Sequence, residues 1–238
     1  FIVAITNNLQ SSLVKYADLT LPLYAGNETA ISNKTFTNTL ALLLLISRTL
    51  TGENVEKLGN ELIALSYRLE ELLVDQKFIE KIVGATTFIS KANFVHFIAR
   101  GPSLAAGYQG ALIFKEGARI HTEALPGASF RHGPLELAGK DHYAIFLIPK
   151  GCTRRLLVNL AIEISKLGSH VVIITDLVDN SIENSVFQIT LESNLGQQEE
   201  LFALASVLPL ELLVIELAAR KGIEAGRFQF ASKITRKE

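Results

Sequence analysis

No methionine or tryptophan occurs anywhere in the chain, and cysteine occurs once, as Cys152. A single cysteine excludes an internal disulfide. The missing methionines, absent even at position 1, point to a fragment or to a sequence from which methionines have been dropped. Charge of one sign is also lacking. Lys and Arg number 23 against 24 Asp and Glu, interspersed along the chain, for a net charge of -1. That balance argues against a nucleic-acid surface, where a basic patch is expected. The longest apolar run, "LALLLLI" at 40–46, is too short to cross a bilayer. No signal peptide is visible, so a cytoplasmic protein with no membrane partner is expected. Several motifs are missing as well. No G-x-G-x-x-G follows a strand, and there is no G-x-x-x-x-G-K-[ST] or G-x-S-x-G.

What is present is a largely apolar chain of 238 residues, 48% hydrophobic, enough for one large domain or two lobes. It contains a repeat. "FIVAITNNLQSSLVKYADLTLPL" (1–23) and "HVVIITDLVDNSIENSVFQITLE" (170–192) align without a gap, pairing Val3, Ile5, Thr6 and Ser12 with Val172, Ile174, Thr175 and Ser181. Each copy reads as strand, turn, short helix and strand, followed by an apolar helix near 34–50 or 198–221. Pro209 should kink the second of these helices or mark its start.

Upstream of the second copy, "FVHFIAR" (94–100) and "YAIFLIP" (143–149) read as buried strands, with helices predicted from Ser103 to about Arg119 and from about Thr153 to Leu167. Strands alternating with helices predict an α/β fold, a parallel sheet covered on both faces. The first lobe has no counterpart of this upstream half, so by internal symmetry its N-terminal half is expected to be missing. Domain boundaries are expected at 1–85 and 86–238. Val55, Leu58, Leu62, Leu65, Leu69 and Leu72 alternate spacings of three and four, an a/d seam. It packs along its own lobe or against another subunit, the former being the simpler reading.

Five positions could carry chemistry. Leu104, Tyr108, Leu112 and Glu116 fall on one stripe of a helix, which predicts a partly desolvated carboxylate, usable as a base. From this stripe alone the simpler reading, that Glu116 pairs with Lys115, Arg119 or a distant base, is the favoured one. His132 lies in a Gly/Pro-rich segment suited to proton transfer, or is ordinary surface. His121 and Glu123, two apart, point the same way if extended, as a hydrogen-bonded pair or two metal ligands. No third ligand with suitable spacing follows, which argues against a metal. Cys152, near two arginines, reads as a small loop residue.

The stretch "GYQGALIFKEGARIHTEALPGASFRHGPLEL" resembles the sugar isomerase (SIS) family, in the form E-G-A-L-x-L-K-E, I-H-x-E-A, H-G-P found in the isomerase domain of glucosamine-6-phosphate synthase. "AITNNLQSSLVKYAD", "AGNETAISNKTFTNTL" and "ASKIT" match in order, so the resemblance covers essentially the whole chain. It implies two SIS-type lobes of doubly wound, flavodoxin-like architecture, with no cofactor. It implies a phosphosugar isomerase, or a deglycase or deaminase using the same enediol chemistry, acting on a sugar phosphate as a homodimer or higher homo-oligomer. A non-catalytic sugar-phosphate-binding module of a regulator is the alternative.

By the same resemblance Glu116 is the base between C1 and C2, and His132 assists ring opening from the partner subunit. Lys233 engages the open-chain carbonyl. Ile31, Ser32, Asn33 and Ser232 bind substrate, with His121 and Glu123 behind them. Departures set the chain apart from the synthase's own reaction. Ile113 stands where the family has a lysine, Ser129 where it has a glutamate before "[KR]HGP", and Gln109 where it has the glutamate of E-G-A-L. "AGNETAISNKTFT" is one residue short of the family pattern between Glu28 and Phe36. The family's Ser/Thr-rich phosphate loop belongs to the half-lobe without a counterpart here.

Overall fold

A computed structural model of the chain describes residues 1–178, 182, 186–191 and 198–233. Ser181 of the repeat therefore lies outside the described residues. The chain divides into two compact units, residues 1–62 with 228–238, and residues 63–227.

In the first unit, β1 (Val3–Thr6) and β2 (Leu19–Pro22) form a two-stranded parallel sheet joined through a 3₁₀ turn, Ser12–Tyr16. Helix α1 (Lys34–Leu50) follows. Asn33 caps it, its side-chain oxygen accepting the Lys34 N–H at 2.6 Å. None of the apolar residues of α1 is fully buried. Helix α2 (Val55–Val74) begins in this unit and ends in the other. Its seam buries Leu58, Leu65 and Leu72, one residue in seven, while Val55 stays exposed.

The second unit continues with α3 (Gln76–Ile89), which Asp75 caps by accepting the N–H groups of Lys77 and Phe78. Then come β3 (Phe94–Ala99), α4 (Ser103–Ala118), β4 (His121–Pro126), the single-turn α5 (Gly127–Phe130), β5 (Tyr143–Ile148), α6 (Arg154–Lys166), β6 (His170–Thr175), β7 (Val186–Thr190), α7 (Glu199–Ala205) and α8 (Val207–Arg220). Helix α3 packs on β7 and α8, and the compact units part at residue 62, whereas the expected boundary at 85–86 falls inside α3.

The sheet is five-stranded, all parallel, in the order β4-β3-β5-β6-β7. Numbered within the unit, that order is 2-1-3-4-5, the flavodoxin-like doubly wound arrangement. All six residues of β5 are buried, as a central strand covered on both faces requires. Helix α4 lies close to the sheet because Gly110 has no side chain; a Cβ there would stand 2.8 Å from Phe97 and 3.0 Å from Leu210.

Pro209 is the third residue of α8, and the chain breaks just before that helix, at Ser206. Residues 199–220 are long and apolar enough to span a membrane by composition, yet 72% of their most apolar window is buried inside the protein, as in a core helix.

The repeat survives as topology, with one correction. Val3 pairs with Leu19 across β1 and β2, sixteen residues on, whereas Val171 pairs with Val186 across β6 and β7, fifteen residues on. The gapless alignment is therefore off by one residue between the strands. A one-residue slip exchanges the two faces of a strand, so register, not residue similarity, decides the equivalence.

A buried polar chain crosses the unit. The ring nitrogens His96 Nδ1 and His142 Nε2 lie 3.0 Å apart, and His142 Nδ1 lies 2.9 Å from Ser169 Oγ, which accepts the Gly139 N–H. Burial, with His96 as a lesser cause for His142, pulls both histidines from 6.5 to about 4. Both rings are thus neutral at pH 7, and one proton serves the bond between them. The unfolded chain takes up protons below about pH 6.5 while the folded chain resists until about pH 4, so stability is complete above the first value and falls between the two. For one histidine the loss is about 3 kcal/mol. Urea unfolding measured from neutral pH down to about pH 4 should show this slope, and His142→Gln should flatten it.

Candidate functional site

The first unit holds a preassembled charged cluster. Lys233, in the C-terminal tail, donates from Nζ to Glu28 Oε2 at 2.6 Å and to Ser32 Oγ at 2.9 Å. Glu28 precedes α1 and its side chain is only 5% exposed. Its other oxygen accepts the N–H groups of Asn33 at 2.9 Å and Thr35 at 3.1 Å, at the start of α1, and the Thr35 hydroxyl donates to Oε2 at 2.7 Å. Burial alone would raise this carboxyl. The bonds from Lys233, Thr35 and the Asn33 and Thr35 N–H groups outweigh it and hold Glu28 at about 2. Glu28 is therefore ionised throughout the physiological range, and it fixes the ammonium beside Ser32.

Sequence reasoning named Lys233, Ser32, Asn33 and Ile31 but used Glu28 only as a landmark. Its signal was present: an acid five residues before the helix cap is placed to accept first-turn N–H groups and to meet the positive end of the helix dipole. Ile31 and Ser32 are partly buried in the loop before α1, and Ser232 is exposed next to Lys233.

Glu116, His132, His121 and Glu123 belong to the second unit. Glu116 is half-buried in the last turn of α4. The stripe expected to desolvate it turns out to be the open face of α4, with Tyr108 57% and Leu112 44% exposed. The buried face includes Ala106, Gly107, Gly110, Ala111, Ile113 and Phe114, and α4 packs against β3, β4 and α8. Apolar residues occur on both faces of this helix, so spacing alone could not say which turns inward.

His132 is exposed, between α5 and a 3₁₀ turn at Pro134–Leu137, and its N–H bonds the Ser129 carbonyl. His121 and Glu123 do share the exposed face of β4. The contact Glu123 makes is with His96, at 3.5 Å from Nε2. Among the described residues no three His, Cys, Asp or Glu side chains converge as a metal set. Cys152 is exposed and its Sγ lies 3.8 Å from Glu199 Oε1.

Comparison with known proteins agrees with this architecture. The SIS domain model matches residues 88–221. A glutamine–fructose-6-phosphate aminotransferase (isomerizing) of Pseudomonas aeruginosa is 31% identical over 232 residues, which is 93% of this chain and 37% of that protein. The chain thus spans little more than a third of the length of such curated relatives. Among solved structures, the C-terminal domain of glucosamine-fructose-6-phosphate aminotransferase from Francisella tularensis superposes with a TM-score of 0.80 at 24% identity, covering 94% of this chain and 65% of that one. Tagatose-6-phosphate ketose/aldose isomerase from Escherichia coli gives a TM-score of 0.77 at 16% identity, covering 99% and 64%. At these identities the two structures speak for the fold.

Proposed function

Because the chain belongs to the SIS domain family, we propose that it is the isomerase-type part of a cytoplasmic enzyme acting on a sugar phosphate or amino-sugar phosphate. In this reading Glu116 is the base that carries a proton between the carbonyl carbon and its neighbour. Lys233 donates to the carbonyl oxygen of the open-chain sugar, and Ile31, Ser32, Asn33 and Ser232 line its binding loop. His132 assists ring opening from a second copy of the chain, and His121 and Glu123 lie behind the reacting groups.

The observation that most supports this reading is the Lys233 ammonium, tied to a carboxylate that stays ionised and to a loop hydroxyl. An aldose–ketose exchange passes through an enediol whose oxygen gains charge as the base removes the carbon-bound proton. A fixed cation that need not reorganise at that moment is what stabilises it. The proton then returns to the adjacent carbon from the same carboxyl, so the reaction balances without a cofactor.

Turnover assays with fructose 6-phosphate, glucosamine 6-phosphate and fructosamine phosphates test the substrate class. One of them should be converted; binding without conversion of any would favour a sugar-phosphate sensor. The role given to His132 has its own test. Glu116→Gln and His132→Ala proteins, each inactive alone, should regain activity when mixed and allowed to exchange subunits, because some hybrids then hold one intact set. Confirmed exchange with no recovery would place His132 outside a shared site.

A further inference from the structure

The segment that presents His132 runs from Gly127 to His142, between β4 and β5, and holds only the single turn α5 and one 3₁₀ turn. So little regular structure leaves its position to side-chain anchors. Phe130 is the first. Its ring is fully buried against two imidazoles, 5.4 Å from the centroid of His96, edge to face, and 5.7 Å from that of His142. Gly139 is the second, its N–H held by Ser169 Oγ at 3.1 Å. Leu135 and Ala138 add partly buried contacts with the same core, and Arg131 adds an ion pair with Glu163 at 2.7 Å.

Both anchors rest on one chain of buried polar groups at the amino ends of β3, β5 and β6: His96, His142 and Ser169. One arrangement of protons satisfies every atom. His96 turns its Nε2–H toward Glu123 Oε2, 3.5 Å away, which leaves Nδ1 to accept from His142 Nε2 at 3.0 Å. His142 Nδ1 then accepts the Ser169 hydroxyl at 2.9 Å, and Ser169 keeps a lone pair for the Gly139 N–H. An added proton leaves the Ser169 hydroxyl without its acceptor, or sets two N–H groups head to head between the rings. It also puts charge under Phe130 and beside Phe94. Of the charged groups on the surrounding elements, Glu123 of β4 reaches the pair, itself 54% exposed, with the exposed His121 beside it on that strand. Arg131 and Glu163 engage each other, Lys140 and Asp141 are exposed, and His170 of β6 stacks on Tyr143 at 4.6 Å.

We propose that His96 and His142 are positioning residues for His132: the uncharged pair seats the Phe130 ring and tethers Gly139, and a proton taken up by the pair frees the segment between those two anchors. Burial pulls both rings from 6.5 to about 4, which keeps the segment seated at neutral pH. Once the segment lifts, the rings meet water and regain their ordinary proton affinity, so opening and proton uptake favour each other. The device concerns how the segment is held, and it stands whether or not His132 acts on a sugar.

Amide hydrogen exchange of the whole chain, corrected for the chemical rate at each pH, tests this directly. The Arg131, His132 and Gly139 amides are each bonded in the closed segment. At neutral pH their protection should be constant and lower than that of the β5 amides. Between about pH 6 and about pH 5 it should fall about tenfold for each proton taken up. Flat protection over that range would overturn the proposal, because the segment would then open without the histidines. Protection equal to that of β5 at every pH would overturn it as well, since the segment would move only with the whole unit. Neither result needs a variant to fold. Replacing both rings, His96→Gln together with His142→Gln, should abolish the slope; a folded double variant that keeps it would assign the proton to another group and end the proposal.

Discussion

Glu116→Gln should reduce sugar-phosphate turnover by about 10²–10⁴-fold, the usual worth of a positioned general base, while leaving binding nearly intact. The amide has the same shape as the carboxyl and can still accept a hydrogen bond, so α4 and its packing on β3 and α8 are undisturbed. What it cannot do is take a proton from carbon. The effect therefore belongs in kcat rather than in KM. Thermal unfolding should match the wild type, since Glu116 is only half-buried at the end of its helix. A loss shared equally between stability and turnover would mean that Glu116 is a structural residue and that the base lies elsewhere.

Lys233→Met should cost about 10²–10³-fold in turnover, the range seen when one preorganised oxyanion donor is lost. The variant keeps the aliphatic stem and deletes the charge, so Glu28 loses its cation while retaining Thr35 and the Asn33 and Thr35 N–H groups. That separates two roles. In the wild type the lowered Glu28 carboxyl adds stability that is complete above about pH 4.5 and lost as pH falls toward 2. In Lys233→Met the Glu28 carboxyl should titrate higher, so the acid limb of stability moves up while neutral-pH stability changes little. Glu28→Gln should release the ammonium from its fixed position and lower kcat less than Lys233→Met does. Equal turnover in Lys233→Met and wild type would remove the tail from the chemistry.

The sheet was legible because its central strands are continuous apolar runs, "FVHFIAR" and "YAIFLIP", punctuated by glycine and proline. Helix α3 was not, since only Asp75 separates it from α2 and no glycine or proline marks the break. The open face of α4 was misread because Leu104, Tyr108 and Leu112 have the spacing of a core stripe, while the true inward face joins Ile113 and Phe114 to alanines and glycines that carry little hydropathy signal. The groups that sequence reasoning missed are those whose partners are distant in the chain. Glu28 meets Lys233 across 205 residues, and Glu199 meets Thr153 across 46. Local pattern sees neither, and nothing but the closed fold brings them together.

Proton exchange between solvent and the sugar is the measurement that bears most directly on the central claim. The protein incubated in deuterium oxide with the sugar phosphate it binds should place deuterium on the carbon next to the carbonyl, visible by proton NMR as loss of that signal. Glu116→Gln should abolish the incorporation. A wild-type protein that binds the sugar phosphate and never exchanges that proton, or a Glu116→Gln protein that exchanges it at the wild-type rate, would contradict the account.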